Sequence, residues 1–399
     1  MNRVNDALIK LLSISTNCSP SICIELKAEE WQQLYNEAEA HQIHLVIFEV
    51  ANKYGKTVEP SLFENWKRIT IYQVLRFYER FTIIGNLLNA FKDENIPVIA
   101  LKGLYVKHLY PQPERRTMGD IDILIKHNSL NDAMRIIKSF GYEKTEKDDP
   151  KHFSFYHKQY IFIELHVSLV TETRRKLASN INNDIWKEAS YFGTDEMNAL
   201  IPSDINNLLY CCIHMTNHFG KGGFGLRQLS DFNLLARKIN GSVDWNKVIK
   251  QADSYGIGKF TEAMLYICNK LFSLRISDEL LDKYSKEEAY IESMIQSILD
   301  SGTFGLKNWK TASGRISANY INKSGGNSKP ICLQYIFPPR KSLSATYAYA
   351  RKYAFLLPFA WIHRLIINIF RSDLSLSEKI PNSKNINEYV KLFRWLDIK

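Results

Sequence analysis

The chain has 399 residues, 45% of them hydrophobic and 12% aromatic. That is enough to bury a core in two or three domains and excludes a disordered protein. The 52 Lys and Arg against 42 Asp and Glu leave a formal charge of +10, which suits a polyanionic partner (nucleotide, nucleic acid or anionic membrane) and equally an inert basic surface. Cys18, Cys23, Cys211, Cys212, Cys268 and Cys332 lack the paired spacing of zinc sites, and the N-terminus has no apolar signal run. Reduced thiols and a cytoplasmic location are therefore expected.

Residues 2–12 predict a short helix, and Cys18 to Glu25 a loop around Ser19-Pro20. Trp31, Leu34, Ala38, His41, Leu45 and Phe48 recur at three- or four-residue steps, predicting one helix from Ala28 to Lys53, ended at Gly55. A longer helix runs from Pro60 towards Asp93, and Pro97 marks the exit into a strand. Residues 1–95 thus form a helical block.

Val98 to Leu101 reads as a buried strand, followed by a helix from Gly103 to Tyr110 that Pro111 stops. After the basic loop 111–119 comes a second strand, Asp120 to Lys126, then a helix to about Phe140 with Gly141 as its stop. Phe153–His157 and Ile161–Leu169 predict an antiparallel pair. Residues 96–170 are then a small mixed sheet with helices.

Residues 171–399 are expected to be helical, with helices at 204–219, 226–239, 244–254, 259–272 and 286–299. Ser301 to Pro339 is the least regular part, with Gly325-Gly326 among its glycines. The last helical stretch ends near Phe370, before a polar tail. Tyr353 to Phe370 is apolar but interrupted by Pro358, His363, Arg364 and Asn368, whereas a membrane span needs about 20 mostly apolar residues. A buried helix exposing Arg351, Lys352, Arg364 and Arg371 is expected in preference to attachment to a membrane surface. The fold class is α+β, a small mixed sheet flanked by N-terminal and C-terminal helical blocks.

Successive side chains of a strand point to opposite faces. Asp120 and Asp122 therefore share one face, opposite Ile121, Ile123 and Ile125; Glu164 and His166 share a face opposite Ile163, Leu165 and Val167. An Asp-x-Asp alone occurs roughly once by chance in a chain this long, and could be two solvated carboxylates on an edge strand. Here it lies in a strongly apolar strand, behind Lys102-Gly103 and Arg115-Arg116, and a third acid follows on a later strand.

That arrangement resembles the DNA polymerase β-like nucleotidyltransferase superfamily, with Lys102-Gly103 where many members have Gly-Gly or Gly-Ser. It is more closely similar to the family of uncharacterised nucleotidyltransferases. The matching residues are Lys102-Gly103, Arg116, Gly119 to Leu124, Glu164-Leu165-His166, His218 and Asp231, in that order. The resemblance implies a nucleotidyltransferase-type sheet and the transfer of an NMP from an NTP. It implies Asp120, Asp122 and Glu164 as catalytic and metal-holding residues. Lys102, Gly103, Arg115, Arg116, Gly119, His166, His218 and Asp231 would be nucleotide-binding.

The residue types suit that chemistry. Mg²⁺, with Mn²⁺ as a substitute, takes carboxylate oxygens, and two such ions about 3.5–4 Å apart can stabilise the attacking and leaving oxygens. Glu164 would complete the second site or act as a base. Gly103 would let backbone N–H groups approach the triphosphate, and Lys102, Arg115 or Arg116 would counter its charge. His166 is equally a hydrogen-bond donor beside the metal site or a histidine on the open sheet face. Neither Asp120 nor Asp122 is needed for the core, so Asn at either position is expected to leave the fold intact. The partner is an NTP; the acceptor is unspecified among RNA, a sugar, a small molecule and a protein, and no stable protein partner is implied. The alternative is a non-catalytic nucleotide-binding or scaffold protein retaining the fold.

Gly220-Lys221-Gly222-Gly223-Phe224-Gly225 matches Gly-x-Gly-x-x-Gly, but a helix precedes it where a dinucleotide fold needs a strand. A flexible helix–helix connection is expected. His214 and His218 share a helical face without the Glu of a zinc protease motif, so a structural or nucleotide-pocket role is expected there. Arg227, Gln228 and Asp231 open the next helix and could lie near His218.

Overall fold

The computed structural model describes residues 1–18, 24–55, 57–145, 152–170, 175–194, 197–305, 307, 309–323, 337–338, 340, 343, 345–370 and 383–398. Cys23, Cys332, Arg371, Gly325-Gly326 and the first part of the polar tail, 371–382, lie outside these residues. The chain divides into two compact units, Met1–His214 with Leu226–Ile291, and Met215–Gly225 with Glu292–Lys399.

The first unit opens with α1 (Arg3–Ser15), α2 (Ala28–Ala40), α3 (His44–Tyr54) and α4 (Pro60–Asp93). The single helix expected over 28–53 is broken at His41–Ile43. Gln42 takes a φ of 55°, and the amide of Ile43 turns back to the Ala38 carbonyl at 2.8 Å. This is a left-handed helix stop made without glycine. The pieces pack through aromatic edges: Trp66 meets Tyr35 at 5.1 Å and Phe48 at 5.9 Å between ring centroids.

A seven-stranded sheet follows, ordered β3-β4-β5-β2-β1-β7-β6. Its strands are β1 (Val98–Ala100), β2 (Asp120–Ile125), β3 (Glu143–Lys144), β4 (His152–Tyr156), β5 (Phe162–His166), β6 (Ser190–Thr194) and β7 (Met197–Ile201). The expected β4–β5 antiparallel pair is present. β2 runs antiparallel to β1 and parallel to β5. Ile121, Ile123 and Ile125 are fully buried on one face of β2, which fixes the register, because a one-residue slip would carry them to the other face.

The stretch beyond Thr171 is not helical throughout. The β6–β7 hairpin lies between α7 (Arg175–Lys187) and α8 (Asp204–Phe219), and β7 pairs parallel with β1. Short α5 (Gly103–Val106) and α6 (Leu130–Ser139) connect the central strands, and α9 (Leu226–Ile239), α10 (Trp245–Ser254), α11 (Gly258–Phe272) and α12 (Asp278–Ser285) complete this unit. α13 (Glu288–Ser301) leads out of it.

The second unit contains α14 (Trp309–Lys323), a helix within the stretch expected to be least regular, with α15 (Ala348–Lys352), α16 (Leu357–Phe370) and α17 (Ser383–Trp395). The Gly-rich loop 220–225 is packed around a buried cation rather than left as a flexible link. Arg315 of α14 is fully buried and donates to the carbonyls of Gly222 and, at 2.8 Å, Ser297. A Cβ on Gly223, whose φ is 107°, would sit on the Arg315 guanidinium. α16 also departs from expectation. Ala360 faces a small core of Leu343, Tyr347 and Ala350, but Phe359, Ile362, Ile366 and Ile367 are exposed. Among the described residues no helix is long and apolar enough to cross a membrane.

Candidate active site

The acids are gathered by the parallel pairing of β2 and β5, which sets Asp122 opposite Glu164 and Asp120 opposite Phe162. Same-face neighbours on adjacent strands meet, so Asp122, Glu164 and His166 converge. His166 Nε2 is 2.7 Å from Asp122 Oδ1 and 3.4 Å from Glu164 Oε2. On the far side, His152 stands opposite His166 across the β4–β5 pair, with its Nε2 4.0 Å from Glu164 Oε1. One donor atom from each of Asp122, Glu164 and His166 falls within 4.8 Å of the others. The expected metal set was Asp120, Asp122 and Glu164; the compact donor group holds His166 in place of Asp120.

Lys102 enters from the turn after β1. Its backbone takes φ 47° and ψ −123°, a conformation costing on the order of 1–3 kcal/mol for a residue with a side chain. Its Nζ lies 2.7 Å from Asp122 Oδ1, and the backbone is tied to the same strand by the Leu101 amide on the Asp122 carbonyl at 3.0 Å. The ring of Tyr210 on α8 lies 5.8 Å from Lys102 Nζ.

These contacts set the charges. Burial would raise the Asp122 carboxyl, but Lys102 and the His166 hydrogen bond outweigh it and hold it well below the usual range. For Asp120 the balance is reversed: burial and then the neighbouring Asp122 outweigh the pull of Lys102 and push it up to about 6. Burial opposes charge on Lys102 and His166, yet Asp122 keeps Lys102 above its ordinary value, and hydrogen bonds to Asp122 and Glu164 do the same for His166.

The arginines are engaged within the protein. Arg116 makes a bidentate pair with Asp231 on α9, Nε to Oδ1 at 2.8 Å and Nη2 to Oδ2 at 2.5 Å, and Tyr110 donates to Asp231 Oδ1 at 2.8 Å. Gly103 lies against this pair, since a Cβ there would come 2.5 Å from Arg116 Nη1. Close approach of Arg116 therefore already requires glycine. Arg115 reaches Glu49 at 2.6 Å. Arg227, buried and with its charge weakened to about 10 by burial and then by Arg116, donates to Thr117 O at 3.0 Å and to Gln42 Oε1. Nothing would meet a Cβ on Gly119. His218 belongs to the second unit.

Lys102, Asp120, Asp122, Glu164 and His166 thus form one cluster, beside a second of Arg116, Asp231 and Gly103. Sequence reasoning missed Gln42, Tyr110, His152 and Tyr210. The alternation of β4 could have found His152; Gln42, Tyr110 and Tyr210 arrive from separate helices and turns and leave no local signal.

The donor set suits a divalent cation. Asp122 and Glu164 offer hard oxygens of the kind Mg²⁺ takes, and the imidazole of His166 widens the choice towards Mn²⁺. Asp120 is raised first by burial and then by Asp122 beside it, and a divalent cation bound among these acids would favour its charged form.

An α+β fold with an acid-bearing central strand pair defines a class of enzyme-like domain without fixing its chemistry. The family model described as "Uncharacterised nucleotidyltransferase" matches residues 27–273, well over half the chain and every residue of the cluster, and the chain belongs to that family. Among solved structures, the solution structure of the antibiotic-resistance factor ANT(2'')-Ia aligns at 12% identity and a TM-score of 0.33, covering 45% of this chain and 91% of that one. No curated protein matches the chain.

Proposed function

We propose that the protein is a metal-dependent nucleotidyltransferase that moves an NMP from an NTP to an acceptor hydroxyl, phosphate or RNA end. The observation that carries this is the convergence of Asp122 and Glu164 from adjacent parallel strands, with Asp120 beside them and Lys102 paired to Asp122. Asp120, Asp122 and Glu164 would hold Mg²⁺, which when bound offsets charge on the phosphate oxygens.

In this reading Asp122 is the fixed member. It is ionised throughout the neutral range, because Lys102 and His166 hold it so. Asp120 is the adjustable member, gaining full charge only above about pH 6. Glu164, a quarter exposed at its side chain, would accept the acceptor's proton. Lys102, whose ammonium is paired with Asp122, would counter the charge of the triphosphate. Arg116 acts through position, since its guanidinium is committed to Asp231.

The test is incubation of purified protein with each α-labelled NTP, Mg²⁺ or Mn²⁺, and candidate acceptors: tRNA, sugars, sugar phosphates and protein extract. Label transfer by wild type and not by Glu164→Gln, whose stability is expected to be unchanged, supports the reading. Nucleotide binding without transfer under all conditions favours the scaffold alternative, and absence of both removes the assignment.

A further inference from the structure

The positive charge of this chain is not spread over it. Residues 301–372 contain 11 of the 52 Lys and Arg and none of the 42 Asp and Glu; the rest, with 41 basic against 42 acidic residues, is close to neutral. The exposed apolar face of α16 lies inside this stretch. Phe355, just before the helix, is 73% exposed, and Phe359, Ile362 and Ile366 follow at steps of four, three and four residues. That spacing puts all four on one helical face. The opposite side is satisfied: Ala360, Leu356 and Leu357 pack with Leu343, Tyr347 and Ala350, and the Trp361 indole N–H donates to the Pro338 carbonyl at 2.8 Å. Arg351 and Lys352, both exposed, stand at the start of the stripe, and Arg340 is exposed and bonded to their carbonyls.

We propose that this face of α16 lies on the surface of an anionic lipid bilayer. At about 1.5 Å per residue its 14 residues reach roughly 21 Å, too short for a hydrocarbon core of about 30 Å. A helix with a continuous Phe and Ile stripe beside cations and no acids has the character of one lying in the interface plane. Anionic headgroups complement the exposed Arg340, Arg351 and Lys352 beside the stripe, and the acyl boundary takes the apolar side chains. A nucleic acid would match the charge but offers Ile362 and Ile366 nothing to bury against.

The experiment is co-sedimentation of the full chain with vesicles of phosphatidylcholine alone or with added phosphatidylglycerol. Wild type should bind the phosphatidylglycerol vesicles on the order of tenfold more strongly and release them as salt rises. Phe359→Ser with Ile366→Ser, and separately Lys352→Glu, should each lose about tenfold in binding with an unchanged melting curve, since these side chains are exposed. Leu75→Ser, at an equally exposed apolar position on α4, should bind as wild type does. The proposal is overturned if wild type stays in the supernatant, if phosphatidylglycerol makes no difference, or if the Phe359/Ile366 variant binds unchanged. It is also overturned if light scattering shows a dimer in solution that this variant dissociates, for then a second copy covers the face.

Discussion

Lys102, partly buried, and Asp122, buried, form an ion pair, Nζ to Oδ1 at 2.7 Å, and the lysine holds it from a strained backbone at φ 47°. The expectation that Asp122 is dispensable for folding does not survive this geometry, because Asp122→Asn strands the Lys102 ammonium. Breaking a buried pair from one side costs about 3–5 kcal/mol, whereas replacing both partners is close to neutral. Asp122→Asn and Lys102→Met should each lower stability by about that amount, and the double variant should recover most of it. Urea titrations of the three proteins in EDTA decide the matter. A double-variant loss equal to the sum of the two single losses would mean the pair is not coupled.

Asp120 should behave oppositely. Its folded pKa of about 6 lies above the ordinary 3.8, so the folded state holds its proton more tightly than the unfolded chain. The resulting stability is full below about pH 4 and is lost as pH rises through 6. Without metal, Asp120→Asn should therefore match wild type at pH 4 and exceed it at pH 8, by on the order of 1–3 kcal/mol. Chemical denaturation of both proteins across pH 4–8 in EDTA tests it, and a variant weaker at pH 8 would contradict the assignment.

Glu164 has His166 at 3.4 Å and His152 at 4.0 Å but no arginine ion-pair partner among the described residues. Glu164→Gln should leave the metal-free melting temperature within about 2 °C of wild type, while transfer falls by 10²-fold or more, on the order expected for a lost acid or base. A large fall in melting temperature with normal kinetics would assign Glu164 to the fold instead.

Arg116 and Asp231 carry the opposite signature. The resemblance implied nucleotide contacts for both, but each is buried in the other's bidentate grip. Arg116→Met or Asp231→Asn should cost about 3–5 kcal/mol, and Gly103→Ala should also destabilise, since its Cβ would press on Arg116. Thermal melts check all three. If Arg116→Met weakened nucleotide binding at unchanged stability, the guanidinium would be a ligand contact after all.

The sequence made the acid cluster readable because strand alternation needs only local spacing: Asp120 and Asp122 share a face on β2, Glu164 and His166 on β5. The parallel register that brings Asp122 opposite Glu164 lies outside local spacing. Nor could the β6–β7 hairpin be read. β6 is an edge strand with mostly exposed residues, so Tyr191 to Thr194 lacks the alternation that a half-buried strand writes into its sequence. The break at Gln42 uses neither Gly nor Pro, and periodicity runs through it unchanged. α16 was misread for the converse reason. It is apolar on nearly every side, so its pattern cannot say which side the fold leaves uncovered.

The Arg116–Asp231 pair has a consequence in time. Its partners are 115 residues apart, and the ribosome adds about 5–20 residues per second. For on the order of ten seconds the emerging chain carries the acid-bearing strands and the Arg116 loop while the carboxylate that will close over that loop is still unmade. The centre is assembled late and from the C-terminal side. A pause in translation between the codons for Arg116 and Asp231 would prolong an intermediate in which the Arg116 guanidinium has no carboxylate to hold.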